Sequence, residues 1–444
     1  MTRIYWTLKK VFTVLLALTC SLMFTSLHAE SNKSKIPNPQ QTLSTVNKLA
    51  RAEVARLNKI EMTDAHKWKK INTNWISATF FVGTAKLIEV SDVPEVLKFN
   101  LETAERFNYA HQGHGAPVHL INADDQAIGD LYQSIYLRTG LPGVLMPLQQ
   151  RMDYTLPYLS LTPTSKRLVW WWCDSLFMAP PVYTRMSAIT GDSKYIDAMD
   201  AQYWRVYDRL FDTNENLFAR DERFIERRSA NNKKIFWSRG QGWVVAGLAR
   251  ILEAMPENYP SRPKYVKLFQ NMMSRIAQLQ QPDGLWRASL LDMEAYPEPE
   301  TSGTAFFTYA LAFGINHDLL ERDKYLPHAL NGWAGLNQYI LPSGILGQVQ
   351  SAGDQPVPTK RETTALYASG AFILAGLEIA NLNKPIVKLP LPFPKPPKPD
   401  YHASDIPLVP LPAHATPDQI REDKRRNAER DAVKALAYDP LVDK

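Results

Sequence analysis

The strongest constraint on the fold is a set of helices with no side suited to water. Residues 242–252, 305–314 and 365–379 are apolar nearly all round and rich in Gly and Ala. Helices of that kind belong in an interior. Their apolar residues also fall at helical spacing, as in Val244, Leu248, Ile251, Leu252 and Met255, or Leu366, Gly370, Ile373, Leu374 and Leu377. A second kind of helix alternates with them. In residues 263–280, Val266, Phe269, Met273, Ile276 and Leu279 make one apolar stripe, and the remaining faces are polar. Residues 45–58 open the series, with Val46, Leu49, Ala50, Val54 and Leu57 on one face. Strand alternation is almost absent up to residue 382. Inner and outer helices in alternation predict an all-α closed barrel of helical hairpins, one ring sheathed by another. An open solenoid is the structural rival, but no fixed-period repeat supports it.

The ends of the chain differ from this middle. Residues 1–29 read as a secretory signal: Arg3, Lys9 and Lys10 are its basic start, residues 11–24 its apolar core, and Leu27-His28-Ala29 a small-residue cleavage site. The apolar run is short for a membrane span and interrupted by Thr and Ser, so no stable membrane insertion is expected after cleavage. Cys20 sits in a poor lipobox. The expected location is the periplasm or the medium. Residues 30–44 are polar and read as a flexible lead, and residues 45–382 as the barrel domain. Residues 383–444 read as a Pro-rich arm, extended to about residue 412, followed by a charged helix over 416–437.

Composition narrows the function. The formal net charge is +6, and removing Arg3, Lys9 and Lys10 leaves 6 − 3 = +3, too small a bias for a nucleic-acid partner. With the signal gone, Cys173 is the sole cysteine, so no disulfide can form within the chain, and it reads as a small buried hydrophobe. Few histidines remain and none recurs at ligand spacing; His111 and His114 sit among glycines. No metal is expected. Phosphate loops, dinucleotide fingerprints and Gly-x-Ser-x-Gly elbows are absent, so no cofactor is expected either. Carboxylates, arginines and aromatics remain, with 11 Trp and 19 Tyr in the chain. That inventory suits glycan processing.

Those residues cluster in loops. Trp170-Trp171-Trp172 runs into Cys173 and Asp174. An apolar wall beside a carboxylate raises its pKa and can keep it a proton donor. The competing role is N-cap of the helix that follows. Asp124 and Asp125 precede another helix; one is expected to cap it and the other is spare. Arg239 lies between Trp237 and Trp243. It suits a structural cation–π or carbonyl contact, or a guanidinium fork for a carboxylate. Glu298 and Glu300 read as solvated or capping.

Together the segments 172–181, 236–243 and 297–307 resemble the unsaturated rhamnogalacturonyl hydrolases, glycoside hydrolase family 105, relatives of the unsaturated glucuronyl hydrolases of family 88. The resemblance spans about residues 45–382 and implies an (α/α)6 barrel. It also implies an unsaturated oligosaccharide as substrate: the family removes a 4,5-unsaturated uronic acid from the non-reducing end of lyase products by hydrating the vinyl ether. The acid/base Asp of the family falls on Asp174 and a second Asp on Asp124, with Asp125 the nearest competitor. Its substrate-binding Arg and Trp fall on Arg239 and Trp243, the latter expected to stack on the sugar. Trp172 and Asp125 join the substrate-binding set. Where some members carry a His, this chain has Arg220, which would favour a more anionic substrate such as a sulfated rhamnose-uronate of the ulvan type over a pectic one. A non-catalytic glycan-binding protein and a sugar epimerase on a like barrel are the rival classes. Asp124 with Asp174 speaks against the first and the scarcity of histidine against the second.

Overall fold

The computed structural model describes residues 36–63, 73–110, 121–160, 168–383 and 385. The signal, most of the lead, His111 and His114, and nearly all of the Pro-rich arm with its terminal helix lie outside the described residues. Of residues 1–37, only Ile36 and Pro37 are described, and neither is helical.

The chain from Asn38 on builds fourteen α-helices among the described residues. They are α1 (Pro39–Thr63), α2 (Trp75–Leu87), α3 (Pro94–Arg106), α4 (Ala123–Gln126), α5 (Gly129–Thr139), α6 (Pro142–Ser160) and α7 (Ser175–Met178) in the first half. The second half adds α8 (Pro180–Thr190), α9 (Lys194–Leu210), α10 (Ser238–Ala254), α11 (Arg262–Gln278), α12 (Thr301–Asn316), α13 (Arg322–Asn337) and α14 (Leu366–Asn381). Two short antiparallel pairs decorate the loops: β1 (Phe211–Asp212) with β2 (Leu217–Phe218), and β3 (Trp286–Arg287) with β4 (Pro299–Glu300).

The packing is a closed double ring. Helix α2 packs on α5, α5 on α8, α8 on α10, α10 on α12, α12 on α14, and α14 returns to α2. Around these six inner helices, α1 packs on α14, α3 on α2, α6 on α5, α9 on α8, α11 on α10 and α13 on α12. This is the (α/α)6 barrel. Helices α12 and α14, expected inside for their all-round apolarity, are buried along almost their whole length. Helix α11 shows one buried stripe, as an outer helix should. Phe269, Met273, Ile276 and Leu279 lie in it, Val266 is only half-buried, and Tyr265, Leu268 and Met272 complete it.

The lead is shorter than expected, because α1 starts at Pro39 and not near Thr45. Asn38 supplies the start: its Oδ1 accepts from the Gln41 N–H at 3.1 Å, and Pro39 suits the first helical turn. Among the described residues no helix is long and apolar enough to cross a membrane.

Small residues let inner helices touch backbone to backbone. A methyl group on Gly370 of α14 would collide with the Thr79 carbonyl of α2, and one on Gly83 would meet the Gly370 carbonyl at 2.6 Å. Gly370→Ala is therefore expected to destabilise the protein by about 1–3 kcal/mol, read from the urea unfolding midpoint. Gly143→Ala is the control, since a methyl there meets nothing within 4 Å, and it should leave the midpoint unchanged or slightly higher.

Candidate active site

The N-terminal ends of the inner helices converge on one end of the barrel. Trp75 opens α2, and its ring meets Trp243 near the start of α10 (6.0 Å between centroids) and stacks on Tyr367 of α14 (5.4 Å). Trp243 also packs on Phe177 of α7 and Phe306 of α12. These five rings make an aromatic floor. Helix N-termini carry partial positive charge, so this end of the barrel favours an anionic ligand.

Asp174 reaches this end through a loop crossing. Trp172 forms an antiparallel bridge with Asp221, and the Cys173 N–H donates to the Arg220 carbonyl at 2.8 Å. Gln241 of α10 holds the strand before it, receiving the Phe218 N–H at 2.8 Å and donating to the Phe218 carbonyl at 2.7 Å. Helix α7 then lies directly on α10, where any side chain at position 247 would collide with the Leu176 carbonyl. Asp174 occupies the cap position of α7, but its side chain makes no capping bond. The carboxylate is 7% exposed. Its Oδ1 accepts from the Cys173 thiol at 3.3 Å, and its Oδ2 from Arg220 Nη2 at 3.4 Å. Burial raises the Asp174 pKa above the ordinary carboxylate range, although Arg220, the thiol and Arg239 pull against it. Burial also keeps Cys173 a thiol, well above its ordinary pKa, so it stays a donor.

The second acid is close by. Neither Asp124 nor Asp125 caps the helix expected to follow them: α5 starts after Ile128 with no side-chain capping bond, and both acids lie inside α4, whose cap is Asn122, its Oδ1 accepting from the Asp124 N–H at 3.0 Å. Both acids are thereby released from capping. Asp125 is buried and Asp124 half-buried. Burial pushes Asp124 up to about 7, helped by the charges of Asp174 and Asp125 and partly offset by Arg220. Two neighbouring carboxyls resisting joint ionisation is the electrostatic signature of an acid/base site.

Arg239 takes the structural one of the two roles read for it, and Trp243 is enclosed where stacking on sugar was expected. Arg239 is fully buried. Its Nη1 donates to the Gln350 carbonyl (2.9 Å) and Ser302 Oγ (3.4 Å), and its Nη2 to the Ser351 carbonyl (2.8 Å). Its guanidinium lies over Trp237 and Tyr367, at 4.4 and 4.8 Å from their centroids. It is a clamp on the 350–351 backbone and presents no open fork to a sugar. Trp243 is 1% exposed and has no free face for stacking, because four aromatic rings surround it. Trp172 is also buried, whereas Trp171 is 38% exposed with the Arg220 guanidinium 5.5 Å from its ring centroid. The exposed aromatic beside the acid is thus Trp171.

Asp221 and Arg223 carry no local sequence signal, whereas Glu300 takes the capping role read for it. Asp221, 1% exposed, accepts from Arg220 Nη1 at 2.9 Å and from Arg223 Nε and Nη2 at 2.9 and 2.8 Å. Arg223 Nη2 continues to Asp354 at 2.7 Å, tying this loop to the 350s loop. Glu300 is the buried cap of α12, its carboxylate accepting from Ser302 N–H (2.9 Å) and Gly303 N–H (2.6 Å). Among the described residues no group of three or more His, Cys, Asp or Glu could hold a metal ion.

The profile of Glycosyl Hydrolase Family 88 matches residues 45–383. A protein of Formosa agariphila named unsaturated 3S-rhamnoglycuronyl hydrolase is 36% identical over 349 residues, which is 75% of this chain and 91% of the relative. A protein of the same name from Alteromonas sp. is 32% identical over 350 residues, 75% of this chain and 84% of the relative. Among solved structures, a glycosyl hydrolase of family 88 from Bacteroides vulgatus superposes with a TM-score of 0.69 at 25% identity, covering 78% of this chain and 100% of that one.

The raised Asp124 has a consequence for stability. A carboxyl whose pKa is higher folded than unfolded costs stability once pH exceeds its unfolded value of about 4, and the cost is complete above its folded value. With the folded value at about 7, Asp124→Asn is expected to raise the melting temperature relative to wild type at pH 8. The gain should shrink steadily toward pH 5, as followed by calorimetric melts across that range.

Proposed function

The chain belongs to glycosyl hydrolase family 88 and hydrolyses unsaturated uronides, and we propose that Asp174 carries the proton in that reaction and that a sulfated rhamnose flanks the bond it cleaves. The supporting observation is the state of Asp174: a buried carboxyl at a helix start, excused from capping, with each oxygen held by a different donor. A group that must give a proton and then take one works best with a pKa near the working pH. Burial pushes in that direction.

In this reading protonated Asp174 gives its proton to C4 of the unsaturated uronic acid, breaking the C4–C5 double bond. Positive charge develops at C5 and the ring oxygen. Water attacks C5, and Asp174, now a carboxylate, takes the proton that the water loses. The product at C5 is a hemiketal, which opens and releases the adjoining sugar. One proton enters and one leaves, so Asp174 ends as it began. Asp124, the other carboxyl of the pair, stabilises the developing cation when it is ionised. Trp171 supplies the exposed ring on which a sugar can lie. Arg239 holds the 350–351 wall in place without touching the reacting atoms.

The substrate rests on two supports. Both relatives named unsaturated 3S-rhamnoglycuronyl hydrolase share most of their length with this chain, and Arg220 places a guanidinium beside Asp174 and Trp171, where an anionic substituent could be met. We read the site as made for a uronide joined to a 3-sulfated rhamnose. Export of the protein, read from residues 1–29, would bring it to such extracellular oligosaccharides.

Turnover is followed by loss of the ultraviolet absorbance of the conjugated double bond. Sulfated rhamnose-linked substrates are expected to be turned over at least about tenfold better than their desulfated counterparts, a difference the size of one charge-assisted hydrogen bond. Equal or reversed preference would overturn the assignment. Asp174→Asn should lower kcat by about 10²–10⁴-fold while the protein still melts cooperatively. Because the protonated acid is required, kcat/KM should fall as pH rises past the pKa of Asp174, which burial lifts above the ordinary carboxylate range.

A further inference from the structure

Arg220 is anchored on one side and loosely held on the other. Its Nη1 donates to Asp221 at 2.9 Å, its backbone carbonyl receives the Cys173 N–H, and its Nη2 reaches Asp174 at 3.4 Å, the longer of its two ion pairs. Asp221 does not depend on it, because Arg223 meets both Asp221 oxygens. The Arg220 Nε is buried and has no hydrogen-bond partner among the described residues. A guanidinium is always charged and carries five donors, and here an edge formed by Nε and Nη2 is left for a ligand. The guanidinium lies over the exposed Trp171 ring, its carbon 5.5 Å from the ring centroid. A sulfate or carboxylate on a sugar lying there matches it as a two-point acceptor.

The groups facing Asp174 make that competition matter. Cys173 offers a neutral thiol, Asp124 from α4 a second acid, and Arg239 from α10 a cation whose Nη donors are taken by Ser302, Gln350 and Ser351. Arg220 is the one cation in direct contact with the Asp174 carboxylate among the described residues. We propose that Arg220 is a substrate-operated counter-ion: an anionic group of the bound sugar draws Nη2 away from Asp174, and Asp174 takes from solvent the proton that it then delivers to the double bond. The inference rests on Asp174 being the proton donor. It places the preference for anionic substrates in the chemical step as well as in binding, since a neutral sugar would leave the acid paired with Arg220 and harder to protonate. The proton taken up on binding returns to solvent when product leaves and Arg220 re-pairs.

The test is proton uptake on binding. A saturated uronate–rhamnose-3-sulfate disaccharide, which has no double bond to hydrate, is titrated calorimetrically into the full-length enzyme at pH 7.5 in buffers of different ionisation enthalpy. Wild type is expected to take up close to one proton per site, and Asp124→Asn to retain most of that uptake. Asp174→Asn and Arg220→Met should show little. Arg220→Met should also lose the kcat difference between sulfated and desulfated substrates and carry its alkaline limb to higher pH. Circular dichroism melts confirm that the variants are folded. Binding to wild type without proton uptake, uptake that persists in Asp174→Asn, or no binding of the disaccharide would each overturn the inference. In those cases turnover of unsaturated substrates by wild type would leave the hydrolase reading standing. Absence of turnover on every unsaturated uronide would remove both.

Discussion

The crossing of residues 172–173 over residues 220–221 decides what Asp174 can be. One backbone bond and one bridge bring two segments nearly fifty residues apart side by side. From that contact follow the guanidinium on one oxygen of Asp174 and the thiol on the other. A carboxylate so placed has lost most of its water, and desolvation disfavours its charge more strongly than a single long ion pair restores it. The balance is shallow by design of the contacts: a shorter bond to Arg220 would lock the group as an anion, and no cation would leave it a permanent acid.

The barrel makes this balance rigid. Gly247 lets α7 rest on the α10 backbone, and Arg250 of the same helix donates to the Phe177 carbonyl at 2.7 Å and to Asp130 of α5 at 2.6 Å. Arg250 and Arg185 hold the buried Asp130 below its ordinary pKa although burial opposes them. That ion pair is compensated on both sides and so anchors structure, whereas Asp174 is compensated on one side and remains free to titrate. Identical side chains thus take opposite roles according to how many cations reach them.

Much of the floor and wall is structural. Arg239 and Trp243 fall at family positions and are still fully enclosed, one by carbonyls and rings, the other by rings alone. Of the three consecutive tryptophans, Trp170 is buried and donates to the Ile121 carbonyl at 3.3 Å, Trp172 is buried by the crossing, and Trp171 faces outward. The Trp171 ring packs against that of Trp172, 4.9 Å between centroids, and its outer face is the one left exposed.

The alternation of all-apolar and striped helices was legible in the sequence because helical periodicity is a local property: which face is apolar depends on neighbours three and four residues away. It was enough to place inner and outer helices and to expect a closed barrel. Asp174 and the Asp124-Asp125 pair stood out as well, as acids in short loops, with Asp124 singled out only through the family resemblance. Their release from capping was not, since that turned on Asn122 and on backbone angles at Asp174. Nor was the fate of Arg239, whose carbonyl partner lies 111 residues away, or the Asp221–Arg223–Asp354 tie, which joins loops 131 residues apart. Those contacts exist only once the ring has closed. The sequence by itself determined that inner and outer helices would alternate in a closed ring and which residue types would sit in the loops before the inner ones. The tertiary structure decided which charges touch, because Coulombic and hydrogen-bond contacts depend on distances that no local pattern encodes.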